Sequence, residues 1–131
     1  MKANELMIGD WVDFYKSPFA DPHYYGKVIC LDRYDVICNP IPLTPEILEK
    51  NGFEISGEYG ECVADGLFVD VPIWSYEAED IYISWAGVEL SISYNLGMPC
   101  NEIKLYQPKV HELQHALRLC GLNDLVDNFK V

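Results

Sequence analysis

Ile81-Tyr82-Ile83-Ser84-Trp85-Ala86-Gly87-Val88-Glu89-Leu90-Ser91-Ile92-Ser93-Tyr94 is the stretch that decides the fold. Apolar residues occupy every second position twice over: Ile81, Ile83 and Trp85, then Val88, Leu90, Ile92 and Tyr94. Tyr82, Ser84, Glu89, Ser91 and Ser93 fill the alternate places. A period of two sends each set to its own side of a pleated strand. Ala86-Gly87 between the runs supplies the reversal. The pattern predicts an antiparallel hairpin with one greasy face and one wet face.

On its N-terminal side a second β-rich run begins at Leu67. Leu67, Val69, Val71 and Ile73 alternate with Phe68, Asp70, Pro72 and Trp74. Pro72 has no N–H for a ladder, so this strand lies at an edge or breaks there. Residues 53–66 are acidic and dotted with glycine, and read as a loop or an irregular edge strand. Glu77, Glu79 and Asp80 read as a solvated turn; they lack the ligand spacing of a calcium loop. On the C-terminal side Asn95 to Pro99 turns the chain, and Ile103 and Leu105 mark a further short strand.

Two helices interrupt the strands. Thr44-Pro45-Glu46 is a helix start: Thr44 caps, Pro45 suits the first helical position, and Glu46 favours the positive end of the helix dipole. Asn51-Gly52 stops this helix after about two turns. The second helix runs from Pro108 to Cys120 and is closed by Gly121. Val110, Leu113, Leu117 and Cys120 form a stripe at helical spacing that packs on the sheet. His111, Gln114, His115 and Arg118 share an adjacent, more polar face and form its half-buried edge.

The N-terminal third has the rhythm of a small barrel. Gly9-Asp10 turns into Trp11 to Tyr15, where Val12 and Phe14 face inward. A loop follows around Pro18, Asp21 and Pro22. Gly26 opens a run from Lys27 to Leu31, and Val36 to Cys38 pairs back on it. Asn39 to Leu43 is extended. The class is therefore α+β: an antiparallel sheet or small SH3-like barrel, with a short middle helix and a C-terminal helix packed on it. Residues 1–131 are read as a single domain, long enough to bury a core without metal or disulfides.

Composition narrows the function classes. Half the residues are hydrophobic, and nine Tyr, five Phe and three Trp mark a folded chain. The net charge is −12, with 21 acidic residues against nine basic ones. Such a chain repels phosphate backbones and anionic lipid, which disfavours direct nucleic-acid or membrane binding. It suits a basic protein partner. The five cysteines, at 30, 38, 62, 100 and 120, are odd in number and lack C-x-x-C spacing. They read as buried free thiols of a reducing compartment. With no leader-like or membrane-spanning run, a cytoplasmic location is expected.

One motif carries explicit chemistry. His111-Glu112-Leu113-Gln114-His115 spells H-E-x-x-H, in which two histidines one turn apart grip Zn²⁺ and the glutamate serves as general base. That reading assigns His111 and His115 as metal ligands and Glu112 as the catalytic base. Its context is poor. No third ligand follows at a supporting spacing; Asp124 and Asp127 are the only acids downstream. His111 sits in the first helical turn, whose dipole opposes a cation by about 0.3–1 kcal/mol. Arg118 lies one turn from Gln114 and His115 and repels a nearby metal. A peptidase also needs a cleft between lobes, for which the chain has little material.

Two separated segments carry a resemblance. Glu5-Leu6-Met7-Ile8-Gly9-Asp10-Trp11-Val12, followed by the stretch from Pro40-Ile41-Pro42-Leu43-Thr44-Pro45 to Asn51-Gly52-Phe53, resembles a family of small uncharacterised proteins encoded by gut anaerobes and their phages. Val110-His111-Glu112-Leu113-Gln114-His115-Ala116-Leu117-Arg118-Leu119-Cys120-Gly121 belongs to the same pattern. The resemblance covers both ends and the first helix, not the middle. In that family the frame reads V-H-x-L-Q-x, often with Gln where Glu112 stands here. The resemblance thus implies that Glu112 is no obligatory base, and it brings no catalytic residues with it.

The leading expectation is a non-enzymatic, cytoplasmic protein-interaction module of a phage or mobile element, with no cofactor. It would dock a protein of unknown identity, for which the negative charge favours a basic surface, through an acidic face dotted with aromatics such as Tyr24, Tyr25, Tyr59, Trp11 and Trp74. A zinc-dependent metallohydrolase built on the H-E-x-x-H motif is the first alternative. A nucleic-acid mimic, with carboxylates arrayed at phosphate-like spacing, is the second. Cys120 with His115 makes no nucleophile pair, since five positions apart on a helix they do not face each other.

Overall fold

The computed structural model describes residues 6–7, 9–14, 24–28, 38–78, 80–94 and 101–131. The chain divides into two compact units. One joins residues 1–43 to residues 109–131; the other is the continuous middle, residues 44–108.

The middle unit opens with α1, Pro45–Lys50, started as its sequence dictates: the Thr44 hydroxyl oxygen accepts from the Ile47 N–H at 3.3 Å. Asn51 ends it, its side-chain amide donating to the Ile47 carbonyl at 2.7 Å. Five strands follow: β4, Glu54–Ala64; β5, Leu67–Ala78; β6, Ile81–Trp85; β7, Glu89–Tyr94; β8, Asn101–Tyr106. Each pairs antiparallel with the next, in the order β4-β5-β6-β7-β8. The deciding hairpin has the register its alternation requires, Ile81 opposite Tyr94 and Trp85 opposite Leu90. Ile81, Ile83, Trp85, Leu90 and Ile92 are buried. Burial of each such side chain contributes about 1.5–3 kcal/mol, which fixes the register, because a one-residue slip would turn the whole set to solvent.

Of the two architectures read from the sequence, the open antiparallel sheet is the one found. β4 and β8 are its edges and do not pair with each other. A barrel needs its terminal strands to meet. Here β4 and β5 run far past β6, which pairs with β5 only from Trp74 to Ala78. The glycine-dotted segment is the irregular edge strand, not the loop, with register shifts between Ile55 and Gly57 and between Cys62 and Ala64. Tyr59, expected in a loop, lies on β4. Pro72 does not break β5. It sits in the part that pairs only with β4, where no β6 strand asks for its missing N–H.

The other unit holds a three-stranded sheet: β1, Trp11–Phe14; β2, Tyr24–Lys27; β3, Cys38–Asn39, in the order β2-β1-β3. Tyr24 and Tyr25, expected in a loop, belong to β2, and Gly26 lies inside that strand rather than before it. Cys38 and Asn39 pair with β1. The expected loop around Pro18 to Pro22, the rest of the run to Leu31, Val36, Ile37 and the turn from Asn95 to Pro99 lie outside the described residues. Helix α2 spans Val110–Leu119, and a short α3 covers Asn123–Asp127, which the sequence reading missed. Val110, Leu113, Ala116 and Leu117 are buried along α2, together with Val12 of β1. No described helix is long and apolar enough to cross a membrane.

Candidate functional site

The polar face of α2 meets the turn that leads into β1. Gly9 has φ +95°, and its N–H donates to the Val28 carbonyl at 2.8 Å. Asp10 follows and is fully buried. A buried carboxylate requires donors, because an unpartnered one carries a large desolvation penalty. Asp10 has three. The Met7 N–H donates to Oδ2 at 2.7 Å, His115 Nε2 lies 2.6 Å from the same oxygen, and Arg118 Nη1 donates to Oδ1 at 3.0 Å.

Gln114 completes the junction. Its amide oxygen accepts from the Trp11 N–H at 2.9 Å, and its amide nitrogen donates to the Gly9 carbonyl at 3.1 Å. The Trp11 indole N–H then reaches the Phe129 carbonyl at 2.8 Å, past the end of α3. Lys27 Nζ lies 5.6 Å from the Trp11 ring centroid and donates to the Asp127 carbonyl at 3.0 Å. The expected half-buried edge is thus deeper than its helical position suggests. Gln114 is 0% and His111 8% exposed, and only His115 and Arg118 are partly covered. The cause is tertiary: the β1 turn covers that face.

The three residues of the zinc reading fall as follows. His111 and His115 lie with ring centroids 5.7 Å apart and planes at 77°. The Nε2 of His115 is held by Asp10. Glu112 is exposed, and its carboxylate accepts from the Lys109 N–H at 3.0 Å, so it caps the first turn of α2. Among the described residues no group of three or more His, Cys, Asp and Glu is placed to hold a metal ion. A histidine oriented by a carboxylate is half of an acid–base device. No described serine or cysteine side chain hydrogen-bonds His115 to supply the other half. Cys120 is half-buried, and burial pushes its thiol above the ordinary value. Cys62, expected to be buried, is exposed on β4.

In the middle unit the geometry points outward. Beyond the reach of β6, residues 57–73 form a two-stranded ribbon. Every residue from Glu61 to Asp70 is exposed, among them Val63 at 55%, Leu67 at 55%, Phe68 at 65% and Val69 at 42%. Nearer the base Tyr59 is half-buried and donates to the Ala86 carbonyl at 3.0 Å, so this aromatic braces the ribbon rather than standing free. A shallow cleft of about 410 Å³ lies at the root of the ribbon, lined by Glu49, Gly52, Phe53, Glu54, Ile55 and Trp74.

Charge is distributed as unevenly as burial. Residues 44–108 hold twelve acidic side chains and two lysines, and so carry −10 of the chain's −12. From Asn51 to Ile103 there are ten acids and no lysine, arginine or histidine. Sequence reasoning registered the total charge but not this segregation, which was readable from the spacing of Lys50 and Lys104.

Compared with known proteins, the chain matches no family model, no curated protein and no solved structure.

Proposed function

We propose that this protein is a non-enzymatic interaction module, acting in the cytoplasm on behalf of a phage or mobile element, and that its partner is a basic protein. The observation that carries the reading is the −10 charge of residues 44–108 alongside exposed apolar side chains on the same unit. Uncompensated carboxylates raise the rate of encounter with a cationic surface, and apolar groups beside them supply affinity once contact is made. The chemistry-bearing residues of the other unit support the same reading, because each has a structural engagement: Asp10, His115 and Arg118 with one another, Gln114 with the β1 backbone, Glu112 with the helix cap.

The test is affinity capture from a native host lysate at low and high salt, with identification of what is retained. A partner of net positive charge that elutes as salt rises from about 0.05 to about 0.5 M is expected, because screening shortens the reach of exposed charges several-fold. Retention of only acidic proteins, or of a partner indifferent to salt, would overturn the reading. So would hydrolytic turnover that disappears in Glu112→Gln.

A further inference from the structure

The outer edge of β4 is an open row of backbone donors and acceptors. β4 is an end strand of its sheet and has no strand on its far side among the described residues. It is eleven residues long, with its side chains exposed or at most half-buried. Its ribbon partner β5 has lost the support of β6 over residues 67–73. A two-stranded ribbon is marginally stable in water, and a third strand is the ordinary means of completing it.

The side chains along that edge select what is admitted. Glu54, Glu58 and Glu61 stand on β4, with Asp65 and Asp70 beside them on the turn and on β5. Glu58 is opposite Pro72 and Glu61 is opposite Val69, so the two carboxylates lie on opposite faces of the ribbon. A second copy pairing edge to edge would set these acids against their own kind, and like charges directly opposed are destabilising. Charged edges exclude self-association for this reason. The same acids are complementary to an extended segment carrying lysine or arginine. Phe68 on one face and Leu67 and Val69 on the other offer apolar cover to its remaining side chains.

We propose that β4 is a strand-addition site, and that its occupant is an extended, lysine- or arginine-bearing segment of the partner protein which pairs with the β4 edge as a third strand of the ribbon. This rests on the interaction reading above and assigns it a surface and a mode. Backbone pairing supplies affinity, while cations three positions apart, facing Glu58 and Glu61, supply selectivity.

The probe is a synthetic peptide of Thr-Val-Lys repeats, which repeats its cation at that interval; Thr-Val-Glu repeats are the control. Backbone amide shifts and hydrogen exchange of the full chain report where it binds. The lysine peptide is expected to perturb residues 54–64 and slow exchange of their outward amides, and the glutamate peptide to do neither. Glu58→Lys with Glu61→Lys, both at exposed positions, is expected to weaken binding by about tenfold or more. Binding of the lysine peptide on β7 and β8 instead would overturn the strand-addition site and leave the basic-partner reading standing. No salt-sensitive binding anywhere on the chain would overturn both. A dimer that dissociates in the Glu58→Lys, Glu61→Lys variant would overturn the proposal by making the occupant a second copy.

Discussion

Asp10 and His115 stand 105 residues apart in sequence and 2.6 Å apart in space. With Arg118 and Gln114 they join the turn before β1 to the polar face of α2. Gly9-Asp10-Trp11 and the stretch from Gln114 to Arg118 are therefore the two halves of one hydrogen-bonded junction. That gives the H-E-x-x-H stretch an architectural account: its second histidine binds a carboxylate, and its glutamate caps its own helix.

Asp10→Ala should be strongly destabilising. Removing one partner of a buried ion pair costs about 3–5 kcal/mol when the other is left in the interior. Here Arg118 and His115 keep 19% and 29% of their side chains exposed and can rehydrate. The expected loss is therefore about 2–4 kcal/mol by urea denaturation. A loss under about 1 kcal/mol would mean that the carboxylate contributes little more than its desolvation cost.

Gln114→Leu keeps side-chain volume near constant and removes both amide contacts. The Trp11 N–H and the Gly9 carbonyl are then left under an apolar cap. Each orphaned backbone group costs about 1–3 kcal/mol. The variant should lose about 2–4 kcal/mol, whereas Glu112→Gln, exposed and still able to cap, should lose less than about 0.5 kcal/mol. Equal effects of the two substitutions, read by denaturant midpoint, would contradict the junction.

Gly9 and Gly66 separate two causes of strain. Both have positive φ, +95° and +74°. A Cβ at Gly66 meets open space, whereas one at Gly9 lies 3.1 Å from Arg118 Nη2. Gly66→Ala should cost about 1 kcal/mol, the conformational penalty alone. Gly9→Ala should cost more, because it also displaces the guanidinium that holds Asp10. Thermal denaturation giving the two variants the same midpoint would show that Arg118 yields freely.

What the sequence disclosed was local, and what it withheld was tertiary. The Ile81 to Tyr94 hairpin follows from alternation within a few residues, and α1 from the Thr44-Pro45-Glu46 start. β4 defied the same reading because Gly57, Gly60 and its glutamates are poor strand formers; it is a strand by virtue of pairing with β5. The depth of Gln114 was hidden for a similar reason. On a helical wheel it lies beside the apolar stripe, and only the distant turn at Gly9 to Trp11 covers it. The short α3 has no capping side chain to announce it.

Metal analysis addresses the remaining use of His111 and His115. His115 Nε2 and both oxygens of Asp10 are engaged within the protein, so a zinc ion would have to displace contacts that hold the junction. Protein dialysed with zinc and then freed of excess should retain well below one equivalent. His115→Ala should lower the stability of metal-free protein, since its contact with Asp10 needs no metal. Stoichiometric zinc that is lost in His115→Ala, with no change in metal-free stability, would instead favour the hydrolase.

The two described thiols should differ in reactivity and in pH dependence. Alkylation proceeds through the thiolate. Burial pushes the Cys120 thiol above its ordinary value, so near pH 8 little of it is ionised, and its half-buried position slows access further. Cys62 is exposed on the ribbon. Iodoacetamide at pH 8 should therefore label Cys62 first, and labelling of Cys120 should climb about tenfold per pH unit as its thiolate fraction grows. The same shift has a stability consequence with a fixed sign. A thiol harder to ionise in the folded state than in the unfolded chain contributes stability that is fully present below the unfolded chain's value and is lost as pH rises through the raised one. Cys120→Ala should accordingly flatten the alkaline limb of the stability profile, and peptide-resolved mass spectrometry finding Cys120 modified as fast as Cys62 at pH 8 would show that its burial is not maintained in solution.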